Sequence, residues 1–205
     1  MDSKESSRFY KFKLLFIRIR HGLFLFTLRN VTSRFGLDLS PYYWVQEDFN
    51  TYKAPSIVDN KETYKLSILS EVDLKSLIGV SLSPYEGTTI IGLKHNDQIA
   101  ALHCVEHRDF VFKGKETKLK NNEVYLLNMY TFQNYRGKNL APYLRHMTYQ
   151  LLKEEGVDTF YSISDYFNTS THKFKRKLGA KPVRLYLAIV LFKKYHKTFL
   201  LKDYN

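Results

Sequence analysis

Met129-Tyr-Thr-Phe-Gln-Asn-Tyr-Arg136-Gly-Lys-Asn-Leu-Ala141-Pro-Tyr-Leu144 is the stretch of this sequence on which the predicted fold depends. Met129 to Phe132 is β-prone, and Gly137 permits a left-handed backbone in a tight turn. Apolar residues then recur every three or four positions, which is the helical period: Leu140, Leu144, Met147 and Leu151. The stretch therefore predicts a strand, a basic turn and a helix in direct succession.

The predicted turn has the chemistry of an anion-binding site. The first turn of a helix offers backbone N–H groups without intrahelical partners, at the positive end of the helix dipole. Arg136 and Lys138 add fixed positive charge beside these groups. The turn is thus suited to hold a phosphate or pyrophosphate.

Length and composition limit the class of protein. A chain of 205 residues with 44% hydrophobic residues suits one folded domain with an appendage. Its net charge of +12 indicates an anionic partner: a nucleotide cofactor, a nucleic acid or an anionic membrane surface. The single cysteine, Cys104, excludes a disulfide within the chain and a zinc site built from several thiolates, and it fits a reducing compartment.

Residues 8–29 contain six Lys and Arg residues and no acidic residue, and an apolar, largely aromatic stripe follows the helical period. Such a basic amphipathic helix can lie on an anionic membrane surface, or it can pack on the domain or on a second subunit of a homodimer. Arg18, Arg20 and Arg29 interrupt the only long apolar segment. We therefore expect a cytoplasmic protein, peripheral at the inner face of a membrane if the helix binds lipid.

The order of predicted elements indicates an α+β fold. We expect residues 1–55 to form the basic N-terminal extension and residues 56–205 to form the domain. Alternation and helical spacing predict strands at 63–69, 88–94, 98–106, 123–132, 159–164 and 183–192, and helices at 70–77, 138–155 and 168–178. This order gives a sheet of several antiparallel strands with helices on its faces.

Over roughly residues 62–192 the chain resembles the GNAT superfamily of acyl-CoA N-acyltransferases. The family's phosphate-binding motif, Gln/Arg-x-x-Gly-x-Gly/Ala, is matched by Arg136 and Ala141, whereas Asn139 stands where the family usually has glycine. Asparagine is among the non-glycine residues that adopt positive φ most readily. A second resemblance follows at the expected distance, where Asn168-x-x-Thr-x-x-Phe-Lys175-x-x-Leu178-Gly-Ala is similar to the family's closing segment.

The resemblance implies a mixed, mostly antiparallel sheet in which the strands 123–132 and 159–164 splay apart. It also implies acetyl-CoA or another acyl-CoA as co-substrate, with no metal. The pantetheine would pair with the main chain near Met129 and Thr131, and Asn168 would contact the cofactor, cap a helix, or do both. The pyrophosphate would be held by the backbone of Arg136, Gly137, Lys138, Asn139, Leu140 and Ala141.

The resemblance further implies direct acyl transfer, in which a base accepts a proton from the acceptor amine and an acid protonates the leaving thiolate. The family's usual acid is a tyrosine, and Lys175 occupies that position; a lysine can replace it if burial lowers its pKa, although most helix lysines are solvated surface charges. Tyr166 is the alternative acid. Glu123, at the start of the central strand, is the candidate base.

Two functions remain open from the sequence. One is an N-acyltransferase acting on a small-molecule amine, such as an amino sugar or nucleotide sugar at a membrane surface. The other is a non-enzymatic module of the same fold that binds nucleic acid or an anionic membrane. The aromatic residues mostly follow strand and helix periods, which favours core packing over a base-stacking platform.

Overall fold

The computed structural model describes residues 24–48, 54–58, 60–75, 77 and 88–204. Its helices are α1 (Phe24–Arg34), α2 (Glu71–Lys75), α3 (Leu140–Glu154) and α4 (Thr169–Arg176). Its strands are β1 (Leu37–Glu47), β2 (Tyr64–Ile68), β3 (Thr89–His95), β4 (Gln98–Glu106), β5 (Phe110–Phe112), β6 (Lys115–Thr117), β7 (Glu123–Thr131), β8 (Thr159–Asp165), β9 (Lys181–Leu191) and β10 (Tyr195–Asp203).

Eight of these strands form one sheet in the order β10-β9-β1-β8-β7-β4-β3-β2, and β5 and β6 form a separate hairpin. Neighbouring strands of the large sheet are antiparallel except for β7 and β8, which are parallel and are joined by α3. The predicted α+β class, with a mixed and mostly antiparallel sheet, is confirmed.

Helices cover both faces of the sheet. On one face α3 packs Leu144, Tyr149 and Leu152 against Leu126 and Phe160, which point to this side of β7 and β8. Each such side chain contributes about 1.5–3 kcal/mol when it is fully buried. The opposite face is covered by α1, which lies against β1, and by the short helix α2, whose Leu74 joins a separate apolar cluster. This arrangement leaves the ends of β7 and β8 between α3 and α4.

The strands and helices predicted from local periodicity between residues 63 and 192 are all present, with bounds shifted by at most two residues. The turn between β3 and β4 has positive φ at Asn96 and Asp97, as a tight hairpin requires. Gly156 ends α3 with a φ of 88°, and the N–H of Val157 bonds the Leu152 carbonyl at 3.0 Å. Local signals were sufficient for these elements.

Strand β1 corrects the predicted organisation of the N-terminal part. The sequence grouped these residues with the extension 1–55. Instead β1 lies inside the large sheet, where Tyr43 pairs with Ser164 of β8 and with Leu185 of β9. Residue 55 is therefore not a boundary of the sheet. The strand predicted at 183–192 is also followed by one that the sequence did not indicate, since β10 pairs with β9 beyond it.

The predicted basic helix at 8–29 lies mostly outside the described residues. Its last part, residues 24–29, belongs to α1. No helix in the described part of the chain is long and apolar enough to cross a membrane. The membrane-surface role of residues 8–29, the homodimer and the location in the cell stay predictions.

Candidate active site

The sheet opens between β7 and β8. Their parallel pairing runs from Glu123 opposite Thr159 to Leu126 opposite Ser162 and goes no further. Just beyond, Asn128 has a φ of 40° and forms a bulge, because the pairing of β4 with β7 shifts between His103 and Cys104. A bulge bends its strand and leaves backbone groups outside the ladder. Sequence reasoning missed Asn128, although asparagine is depleted in strands and was a usable signal.

A cleft of about 660 Å³ fills the space between the splayed strands and the helices α3 and α4. Its walls from β7 include Tyr125, Asn128 and Met129. The helix α3 contributes Ala141 and Arg145, and α4 contributes a longer set: Thr171, Lys173, Phe174 and Lys175. Met129 and Lys175, predicted from widely separated motifs, therefore lie on one cavity.

The turn before α3 adopts the predicted left-handed conformation. Asn139 has φ 63° and ψ 25°, so the departure from glycine is tolerated by the backbone. Gly137 has a φ of 81°, and a Cβ built on it would meet no atom within 4 Å. The turn borders a depression of about 320 Å³, lined by Thr131, Arg136, Gly137, Asn139, Leu140 and Ala141. The predicted pyrophosphate loop is therefore an open cradle next to the cleft.

The side chains of this turn have defined positions. Arg136 donates from Nε to the Thr131 carbonyl at 3.1 Å, and its guanidinium lies 5.7 Å from the centre of the Tyr130 ring. The Asn139 amide donates to the Ser56 carbonyl at 2.5 Å. Because Arg136 already uses the Thr131 carbonyl, Met129 and the bulge are the better-placed main-chain partners for an extended ligand.

A buried carboxylate lies at the inner end of the cleft. Glu47, the last residue of β1, is 3% exposed and accepts hydrogen bonds from Ser162 Oγ and Tyr149 Oη. Two cations face it: Arg145 Nε at 3.4 Å and Lys175 Nζ at 3.7 Å. Burial alone acts to raise the pKa of Glu47, but these cations and hydrogen bonds outweigh it and hold the pKa below its ordinary value. Glu47 is therefore ionised.

Lys175 is not the solvated surface charge that its position on a helix favoured. It is 4% exposed, and its Nζ donates to Ser162 Oγ at 2.6 Å and to the Ile163 carbonyl at 3.1 Å. Burial lowers the pKa of Lys175 to about 8, although the Glu47 carboxylate acts in the opposite direction. A lysine with this pKa exchanges its proton near neutral pH, which is the property required of a catalytic acid.

Arg145 connects the buried Glu47 and Lys175 to β4. It is buried within α3, and its Nη1 hydrogen-bonds His103 Nε2, while His103 Nδ1 lies 3.5 Å from Thr148 Oγ1. Burial, together with the charges of Arg145 and Lys175, lowers the pKa of His103 well below its ordinary value. His103 is therefore a neutral acceptor for Arg145 and a structural histidine.

The other predicted catalytic residues lie elsewhere. Glu123 is the first residue of β7, two residues before Tyr125, which lines the cleft. Its carboxylate accepts from the Lys120 N–H at 3.1 Å. It lines none of the cavities described here, so the structure does not bring the predicted base to the cleft. Tyr166 is partly exposed and lines a different pocket, on the other side of α4.

Asn168 caps α4, because its Oδ1 accepts from the Thr171 N–H at 3.0 Å. Its side chain is exposed and lines none of these cavities. The structural role that was predicted for Asn168 is thus present, and contact with a cofactor stays a prediction. Among the described residues, no group of three or more His, Cys, Asp and Glu side chains could hold a metal ion.

No family model matches the sequence, and no curated protein is significantly similar to it. Solved structures do match. A GNAT-family protein from Novosphingobium aromaticivorans is 18% identical with a TM-score of 0.54, and the match covers 76% of this chain and 66% of that one. A GNAT-family acetyltransferase from Colwellia psychrerythraea is 13% identical with a TM-score of 0.52, and the match covers 76% of this chain and 57% of that one.

A third structure, a GCN5-related N-acetyltransferase from Sphaerobacter thermophilus, is 11% identical with a TM-score of 0.50, over 85% of this chain and 56% of that one. The chain thus spans 56% to 66% of the length of these three structures. At such identities the likeness concerns the fold. The protein has the fold of the GNAT acyl-CoA N-acyltransferases.

Proposed function

We propose that this protein is an acyl-CoA-dependent N-acyltransferase, with acetyl-CoA as the expected donor. The observation that carries the proposal is the continuity of the open left-handed turn at Gly137 and Asn139 with the cleft between β7 and β8. A pyrophosphate needs backbone donors and room for close approach, and the N–H groups at the start of α3 together with the open space beside Gly137 support this assignment. An extended pantetheine needs a narrow groove with unpaired strand backbone, which the bulge at Asn128 provides.

The chain's own residues have distinct tasks in this proposal. The N–H groups at the start of α3 hold the pyrophosphate, with charge support from Arg136 and Lys138. Pro142 has no N–H, so the donors are those of the residues before it. The exposed bulge at Asn128 and the adjacent Met129 orient the pantetheine. When bound, the acyl-CoA supplies the thioester carbon that the acceptor amine attacks.

Lys175 is the proposed acid. Its Nζ holds the proton that passes to the departing sulfur as the C–S bond breaks and the new C–N bond forms. The acceptor nitrogen loses one proton in the same turnover, which restores the Lys175 ammonium directly or through water, so protons balance. Glu47 and Ser162 fix the position of the Nζ, because both contact it from the closed end of the cleft.

The acceptor is an amine in this proposal, and an amino sugar or nucleotide sugar at a membrane surface is the preferred class. The strongly basic composition supports an anionic acceptor or surface. Because Glu123 lines none of these cavities, a water relay replaces a dedicated carboxylate base.

Two glycines at opposite ends of α3 provide a matched test. Gly137 and Gly156 have φ of 81° and 88°, and a Cβ on either meets no atom within 4 Å. Alanine at each site has the same backbone strain, about 1–2 kcal/mol. Only Gly137→Ala places a methyl group at the proposed pyrophosphate turn.

We expect acetyl-CoA at about 100 times its Kd to raise the Tm of the wild type and of Gly156→Ala by roughly 5–10 °C, and that of Gly137→Ala by much less. Differential scanning fluorimetry measures these shifts. No shift with any acyl-CoA in the wild type would contradict the function. If nucleic acid or anionic vesicles bind instead with a steep salt dependence, the alternative of a non-enzymatic binding module gains support.

A further inference from the structure

A second pocket of about 520 Å³ lies on the other side of α4 from the cleft. Its floor is formed by β1, β8 and β9, through Tyr43, Val45, Ser164 and Pro182, and its wall is α4. Of the residues that line the two cavities, only Lys173 and Lys175 line both. The proposed acyl-CoA site therefore leaves this pocket unused.

The floor of the pocket carries a buried hydroxyl group without a partner. Ser164 is 2% exposed, and its Oγ has no hydrogen-bond partner among the described residues. An unsatisfied buried hydroxyl is unfavourable, so a ligand that bonds it gains more than an ordinary surface hydrogen bond would supply. Ser164 lines the pocket. This points to a ligand with its own hydroxyl groups.

An aromatic platform stands beside this hydroxyl. Tyr43 and Tyr166 stack with ring centres 5.4 Å apart, and His172 meets the Tyr43 ring edge-on at 5.5 Å. Burial raises the pKa of Tyr43 to about 12, and its hydroxyl already hydrogen-bonds Tyr204, so Tyr43 offers a ligand its ring. Aromatic faces next to hydroxyl groups suit a ring that is apolar on its face and polar at its edge, as a sugar is.

Positive charge surrounds the mouth of the pocket. Lys173 and Arg176 line it, are exposed, and form no ion pair with any described residue. The buried Lys175 adds a third cation at the inner wall. The charges that face the pocket are thus cationic, and Arg176 can bind a carboxylate or phosphate with two parallel hydrogen bonds.

We propose that this second pocket binds a sugar that carries a carboxylate or a phosphate group. The sugar ring lies against Tyr43 and Tyr166, one of its hydroxyl groups bonds Ser164 Oγ, and its anionic group pairs with Arg176. The site is distinct from the acyl-CoA cleft, and its occupation can be measured whether or not the protein transfers acyl groups.

Isothermal titration of the full chain with four compounds tests the proposal: glucuronic acid, glucose 1-phosphate, glucose and inorganic phosphate. We expect at least one acidic sugar to bind and to bind at least tenfold more tightly than glucose or inorganic phosphate. The two acidic sugars distinguish a carboxylate from a phosphate as the anionic group. If neither acidic sugar binds at least tenfold more tightly than both glucose and inorganic phosphate, the assignment is overturned.

Matched variants locate the ligand. Ser164→Ala should weaken binding about fivefold through one lost hydrogen bond, whereas Ser67→Ala should not change it, because the equally unpartnered Ser67 Oγ lies on β2 outside the pocket. Arg176→Ala should weaken binding at least tenfold. If Arg136→Ala weakens binding and Arg176→Ala does not, the anion occupies the turn before α3 and the proposal fails.

Discussion

Two clusters of charged residues lie on opposite faces of the sheet, and they differ most in burial. The cleft cluster consists of Glu47, Arg145 and Lys175. The outer cluster consists of Arg29, Asp38, Asp165 and Lys113. Shorter contacts occur in the outer cluster, where Arg29 Nε lies 2.7 Å from Asp38 Oδ1, against 3.4 Å for Arg145 Nε and Glu47 Oε2.

The distances suggest that the outer cluster is the stronger one, but the exposed fractions of the side chains indicate the opposite. The Arg29 and Asp38 side chains are 18% and 28% exposed, whereas those of Arg145 and Glu47 are 4% and 0% exposed. Water screens the outer pairs, so their loss costs little. In the cleft cluster, removal of one charge leaves another buried without compensation. Burial, not contact distance, therefore decides which cluster controls stability and proton transfer.

The largest effect is expected from Glu47→Ala. This change leaves Arg145 and Lys175 as buried cations and removes the acceptor of Ser162 and Tyr149. We expect the free energy of unfolding, measured by urea denaturation, to fall by about 3–5 kcal/mol. A loss near that of an exposed ion pair would show that the cleft cluster is hydrated and would remove the contrast with the outer cluster.

The next largest effect is expected from Lys175→Met, and it concerns the rate of catalysis rather than stability. It keeps the length of the buried side chain and removes the proton, so we expect kcat for acyl transfer to fall about 100-fold while KM for acetyl-CoA changes little. Circular dichroism checks that the variant is folded. An unchanged kcat would exclude Lys175 as the acid and leave it as a structural cation.

The pH dependence sharpens this test. Because the pKa of Lys175 is lowered to about 8, kcat should fall as pH rises through 8 in the wild type. Stability should move the other way: between about 8 and the ordinary value of 10.5, the unfolded chain binds more protons than the folded one, so the free energy of unfolding rises with pH. Both trends should be absent in Lys175→Met.

The smallest effect is expected from Arg29→Ala in the outer cluster. Its partners are partly exposed, so the free energy of unfolding should fall by about 1 kcal/mol or less, and the difference from wild type should shrink in high salt. Urea denaturation at two salt concentrations measures this. A salt-independent loss as large as that of Glu47→Ala would show that the two clusters are energetically equivalent.

Predictions based on local sequence patterns succeeded where neighbours along the chain supply the cause. The turn at Gly137 and Asn139 has its predicted positive φ because glycine and asparagine adopt that region most readily. The helix α3 and the hairpin of β3 and β4 follow from periodicity and turn residues. Lys175 was a candidate only through its position in the closing segment, and its burial was not predictable from a basic, exposed-looking helix.

The features that local patterns did not predict result from contacts between distant parts of the chain. Glu47 was absent from the sequence-based candidates, because its partner Ser162 is 115 residues away and its partner Tyr149 is 102 residues away. Its place in the site depends on β1 lying between β8 and β9, which no local pattern indicated. Glu123 lines none of the cavities for the same reason, because strand position alone does not tell which part of β7 meets the cleft, and its role as the base stays a prediction.

The sequence by itself determined the strand-turn-helix unit at 129–144, the left-handed turn and the order of most elements, since these depend on φ preferences and on side-chain periods within a few residues. Only the tertiary structure decided that Glu47, Arg145 and Lys175 share one buried site and that Ser164 faces a second pocket. Burial depends on which strands become neighbours. The pKa of Lys175 and the unpartnered Ser164 hydroxyl both follow from that burial.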